Sequence, residues 1–144
     1  MEALCRISRT WGVLLGRCCL AAIFLQSAYD KIFHYGRTVT LMTAKGMPQP
    51  ELLLLPAIVL LLGGGIGLLL GWKARWAALA LILFMIPATL YFHDFWNYPP
   101  QQFVNQFHHF FKNLAIIGAL FMIAGMGAGS FSMDAAQGHG VDER

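Results

Sequence analysis

Residues 52–72 contain no charged side chain over 21 positions. A helix of that length crosses the roughly 30 Å hydrocarbon core of a bilayer. Inside that core only a helix or a closed barrel satisfies its own backbone hydrogen bonds. The chain shows no strand-like alternation, so the run is expected to be a helix. Three more apolar runs accompany it, giving expected spans at about 11–33, 52–72, 76–92 and 110–128. Pro56 and Pro87 lie inside two of them, where a bundle tolerates or kinks around proline. The predicted fold is all-α: an integral membrane four-helix bundle over 11–129. A basic segment, 1–10, precedes it, and a polar tail, 130–144, is expected to be flexible. The basic start and first run also resemble a signal peptide. Arg17 interrupts the apolar part, however, and Ala28 makes a poor cleavage site, so the run is read as a retained span.

Charged residues make up only 12% of the chain, against 58% hydrophobic, with mean hydropathy +0.60. A soluble domain carries about 25% charged residues. The net charge of +3 is small and scattered, which excludes a nucleic-acid surface and leaves the lipid bilayer as the expected surrounding. Cys5, Cys18 and Cys19 have neither CxxC nor paired spacing, so no disulfide framework or zinc site is expected. They read as small packed residues.

Four spans place both termini on one side. That side holds Arg6, Arg9, Lys73, Arg75 and Arg144, and the other holds Arg37, Lys45 and Lys112. Positive residues favour the cytoplasm, so the termini and the 73–75 turn are expected there. The loops 34–51 and 94–111 would then face outward. Trp11, Trp72, Trp76 and Trp96 fall at span ends, as aromatic belts do. Gly63, Gly67 and Gly71 recur every four residues, as do Gly12 with Gly16 and Gly125 with Gly129. Such spacing lets helix backbones approach closely in lipid. No Lys-Ser/Thr follows Gly63–Gly65, which removes a phosphate-loop reading.

The chemistry concentrates in 89–113, TLYFHDFWNYPPQQFVNQFHHFFKN, which holds three of the five histidines. Thr89 and His93 are one turn apart; Asn105, His109 and Asn113 are spaced by four, as are His108 and Lys112. The short loop forces the third and fourth spans to be antiparallel neighbours. His93 and His109 should therefore approach, with Asn113 one turn deeper and His108 pointing elsewhere. Thr89 and Lys31 should line the same cavity, capped by Trp96 and Tyr98. Histidine exchanges protons near physiological pH, which suits a site where a reduced carrier releases protons. The plain alternative is that rim histidines and aromatics only anchor the bundle.

Arg17 and Lys31 lie fourteen residues apart and share a helix face. Arg17 is expected to snorkel to the nearer interface. Lys31, clustered with Ser27, Asp30 and His34, either snorkels or faces the bundle to hold an anionic or carbonyl-bearing ligand. The candidate ligand-binding rim is thus Lys31, Thr89, His93, His109, Lys112 and Asn113, with Arg17, Asp30 and Trp96 secondary. No catalytic residue is assigned. The expected spans hold no Glu, so a di-iron carboxylate site is not expected. His93 and His109 at the rim rather than mid-bundle argue against haem.

Gly16–Arg17, Lys31, Gly46–Met47–Pro48, GGGIGLLLGWKARWAAL (63–79), ATLYFHDFW (88–96), FKNLAIIG (111–118) and GAGSFSMD (127–134) occur in this order. Together they resemble the DoxX family of small four-helix membrane proteins. The resemblance implies a multi-pass protein of a bacterial-type inner membrane. It also implies an accessory component of a quinone- or thiol-linked redox system. Quinone is then the candidate ligand, and an oxidoreductase subunit or a second copy the candidate partner. The alternative within the same fold is a non-enzymatic scaffold or small-molecule-binding protein. Family members often carry a Glu before the second-span glycines. Leu60–Leu61–Leu62 stands there instead, so no role for that carboxylate carries over.

Overall fold

The chain's architecture, seen in a computed structural model, is described for residues 2–138, with side chains from Thr10 onward. In order come α1 (Glu2–Phe33), α2 (Tyr35–Ala44), α3 (Pro50–Leu70), α4 (Ala74–Phe92), a 3-10 turn (Phe95–Asn97), α5 (Pro100–Met126) and α6 (Met133–Ala136). Among the described residues, four stretches are long and apolar enough to cross a bilayer: Thr10–Phe33, Pro50–Leu70, Ala74–Asn97 and Pro100–Met126. The protein is an all-helical integral membrane four-helix bundle. Its α1 packs on α3, α3 on α4 and α4 on α5.

Local chemistry sets the helix ends. Pro50 and Pro100 open α3 and α5 in the first turn, where the missing N–H has no intrahelical partner to lose. Gly71 closes α3 at φ +65, a left-handed geometry that costs glycine little. The core is formed by small and branched residues, including Ala21, Ala28, Leu61, Ala78, Leu81 and Leu120, all at 0% exposure. Outward-facing Val59 and Leu83 are 68% and 71% exposed. Such faces are unfavourable in water and ordinary against lipid.

The glycines pack differently from the simple four-residue expectation. A Cβ on Gly67 would lie 2.9 Å from Ala77 Cβ, so Gly67 does face α4 closely. The other tight approaches from Gly63 to Gly71 are Gly64 on Leu81, Gly65 on Leu25, and Gly71 on Ser132 and Arg17. Around Gly63, Gly12, Gly16 and Gly125 nothing lies within 4 Å. Three neighbouring glycines thus serve two different helices, and periodicity alone does not separate them.

Three expectations change. The 34–51 loop contains α2, because Gly36 sits in its first turn rather than breaking it. The fourth helix begins at Pro100, ten residues before the expected 110, because the polar residues 101–109 stay helical at the rim. Arg17 does not snorkel. It is 2% exposed and donates to the carbonyls of Ala128, Leu69 and Phe131. Leu69 lies in the last turn of α3, and Ala128 and Phe131 follow the end of α5, where carbonyls lack intrahelical partners and need donors.

The same contacts bring down 130–138, the described part of the expected flexible tail. Its Asp134 carboxylate accepts from the N–H groups of Lys73 and Ala74 at 2.7 and 2.9 Å, capping α4 from outside the helix. Phe131 packs on Trp11 with ring centroids 5.2 Å apart. The rest of the tail, with His139 and Gly140, and the side chains of Cys5, Arg6 and Arg9 lie outside the described residues.

Candidate functional site

At the end of the bundle opposite Arg17, α1, α2, α3, α4 and α5 line a half-open cavity of about 620 Å³. Its walls are mainly hydrocarbon, from residues such as Phe24, Leu54, Leu61, Met85 and Ile116. The polar wall is contributed by Ser27, Asp30, Lys31, Thr38, His93, Lys112 and Asn113.

The last turns of α1 present Ser27 and Lys31 at i and i+4, so one face carries both. Lys31 Nζ donates to Ser27 Oγ at 2.9 Å. One face further round, Asp30 reaches Nδ1 of His34 at 3.0 Å, with both side chains 55% exposed. Across the bundle, Asn113 Nδ2 donates to Thr89 Oγ1 at 3.1 Å, a bond that fixes the register of α4 against α5. Thr89 is 4% exposed, so its hydroxyl needs such a partner.

His93 follows the last residue of α4, and its N–H still closes onto the Thr89 carbonyl at 3.0 Å. This places its ring over α5, where it stacks on His109 with centroids 5.0 Å apart and planes 13° from parallel. The Gln106 side-chain oxygen lies 2.8 Å from His93 Nδ1. With Nδ1–H donating there, Nε2 is left as an acceptor. On the other ring, Lys112 Nζ lies 3.1 Å from His109 Nδ1, so the ammonium donates and Nε2 of His109 keeps the proton.

Beside the cavity, Lys45 forms an ion pair with Asp94 at 2.7 Å, and Asn97 donates to the second Asp94 oxygen at 2.9 Å. Lys45 also sits over the Tyr98 ring, 4.4 Å from its centroid. Burial by itself lowers the Lys45 pKa, but the bonds to Asp94 and Tyr98 outweigh it, and the net shift is upward. This pair ties the segment after α2 to the turn after α4.

Of the sequence-derived candidates, Lys31, His93, Lys112 and Asn113 reach the cavity wall together, and Asp30 joins them. Thr89 lies behind the wall and holds Asn113. His109 backs His93 without lining the cavity. Trp96 is not a cap: it is 54% exposed and meets Phe95 and Phe110 edge-on. The Tyr98 hydroxyl turns to the Phe92 carbonyl at 3.5 Å. His108 points elsewhere and meets only the edge of Phe107 among the described rings. Arg17 is at the far end and belongs to the tail contact. Sequence reasoning missed the α2 contribution, Thr38, Leu41 and Met42. The run TVTLMTA held that signal, masked by the preceding glycine. Among the described residues no group of three or more His, Cys, Asp or Glu side chains could hold a metal ion.

Comparison with known proteins adds the following. The family model described as DoxX matches residues 12–94. That range includes Arg17, Lys31, Thr89 and His93 and stops before α5. The inner membrane protein YqjF of Escherichia coli (strain K12) is 34% identical, over 85% of this chain and 89% of its own length. The inner membrane protein YphA of the same organism is 27% identical, over 85% of this chain and 87% of its own. A Surfeit locus protein 4 homolog of Drosophila melanogaster is 36% identical over 45% of this chain and 25% of its own length. No solved structure matches.

Proposed function

This chain belongs to the DoxX family, and from that premise we propose that it is a ligand-binding accessory component of a quinone- or thiol-linked redox system. It is a multi-pass protein of the inner membrane, the location printed in the names of both Escherichia coli relatives. Its ligand is an amphipathic molecule with a hydrogen-bond-accepting head, of the quinone class.

The observation that carries this reading is the cavity, about 620 Å³, within the 300–1,000 Å³ range usual for small-molecule sites. It combines a hydrocarbon wall with a cluster of polar groups. An apolar tail fits the wall. A quinone carbonyl can accept from Lys31 or Lys112. Nε2 of His93, with its other nitrogen engaged by Gln106, can accept a hydroxyl proton from the reduced head. The chain binds and orients the head, and a partner oxidoreductase subunit carries the electrons.

The test is purification in mild detergent followed by mass spectrometry of the organic extract and of co-purifying subunits. The reading expects a quinone at near-stoichiometric amount and its loss in Ala57→Phe, which fills the wall. Extracts holding lipid alone, the same in both proteins, would contradict it and favour a scaffold.

A further inference from the structure

Three lysines stand at the cavity end of the bundle, and only one has a carboxylate. Lys45 is paired with Asp94. Lys31 and Lys112 both line the cavity. Lys31 bonds to the neutral Ser27 hydroxyl and Lys112 to an imidazole nitrogen. Among the described residues neither forms an ion pair. The one carboxylate on the wall, Asp30, is engaged by His34. The cavity wall thus presents two ammonium groups, neither in an ion-pair contact, against the single carboxylate of Asp30, above a hydrocarbon lining.

An ammonium within a membrane bundle is costly unless it finds water or an anion. Lys31 is half-buried and already spends one donor on a hydroxyl that cannot neutralise it. A neutral carbonyl answers the hydrogen bond and leaves the charge. A carboxylate answers both, because charge-assisted bonds are roughly twice as strong as neutral ones. Resting on the reading that this cavity is a ligand site, we propose that, beyond a quinone, it takes an anionic ligand: a single-chain amphiphile bearing a carboxylate. The carboxylate lies between Lys31 and Lys112 and the chain lies along the wall of Phe24, Leu61 and Ile116.

Equilibrium dialysis of laurate, its uncharged methyl ester and decylubiquinone against the full chain in mild detergent tests this. Wild type should bind laurate at least about tenfold more tightly than the ester, the scale of one hydrogen bond to a charged group. Lys31→Gln and Lys112→Gln, which remove one charge each, should each shrink that ratio. Lys73→Gln, at the far end, should keep the ratio. Equal affinity for laurate and ester in wild type overturns the inference without needing any variant to fold. So does a ratio that survives in the Lys31→Gln, Lys112→Gln double variant. Saturable decylubiquinone binding without a laurate preference overturns the inference and leaves the cavity reading standing. Saturable binding of none of the three overturns both.

Discussion

Nη2 of Arg17 donates to the carbonyl of Phe131 at 2.7 Å, so a cation inside the first membrane helix holds the segment that follows the last. Nη1 bonds Ala128 and Nη2 also reaches Leu69 at 3.5 Å, while the buried Nε has no partner among the described residues. One side chain therefore satisfies carbonyls from two places at the end of the bundle. Bonds to charged groups contribute about 1.5–3 kcal/mol each. Arg17→Met, which removes them all and orphans the acceptors, should lower stability by at least about 3 kcal/mol on that scale. Arg17→Lys should be intermediate, because one compact ammonium cannot bridge the same carbonyls as a planar fork. Thermal melts in detergent measure this. An unchanged midpoint for Arg17→Met would show that the buried guanidinium is idle.

Gly67 and Gly63 look equivalent in the sequence and differ in space. A methyl on Gly67 meets Ala77 Cβ at 2.9 Å and the Trp72 carbonyl at 3.2 Å, whereas one on Gly63 meets nothing within 4 Å. Gly67→Ala should lower the melting temperature by forcing α3 and α4 apart. Gly63→Ala should be neutral, or stabilising by up to about 1 kcal/mol through helix propensity. Equal effects would show that the close α3–α4 contact is absent in the membrane.

The fold was legible because charge-free runs such as 52–72 leave the backbone few alternatives in lipid. The His93–His109 approach was legible too, since a short connection forces adjacent antiparallel helices. Other features depend on partners far along the chain. Arg17 read as a snorkelling residue because the carbonyls it meets lie 111 and 114 positions away. The start of the fourth helix was misplaced because its first turns are polar and lie at the rim, where hydropathy carries no helix signal. Trp96 and Tyr98 do not form the expected cap. Lys45 instead binds Asp94 and covers Tyr98, which turns that segment aside.

The Lys45–Asp94 pair gives a pH dependence. The folded-state pKa of Lys45 is raised above the ordinary lysine value. Its contribution to stability is therefore complete below that ordinary value and is lost as pH rises through the folded value, in the alkaline range above about pH 10.4. Melting temperatures of wild type and Lys45→Met should differ at pH 8 and converge as the alkaline limit is approached. Parallel curves across the whole range would remove the ion pair from the account.

The start of the first span and the segment after the last lie at one end of the bundle, since Trp11 and Phe131 are in ring contact there. The excess of Arg and Lys at that end predicts a cytoplasmic location. Alkaline phosphatase fused after Arg144 should be inactive, and the same enzyme inserted after Asn97 should be active. The reverse pattern would invert the bundle and place the cavity on the cytoplasmic side.

The cavity as a ligand site is tested most directly by titrating the purified protein with decylubiquinone and following equilibrium binding in wild type, Ala57→Phe, His109→Ala and His108→Ala. Wild type should bind saturably and Ala57→Phe should not. His109→Ala should weaken binding about three- to tenfold, the scale of a lost aromatic stack, because His93 loses the ring behind it. His108→Ala should match wild type. Non-saturable uptake by all four proteins, or equal losses from the two histidine substitutions, would contradict the assignment.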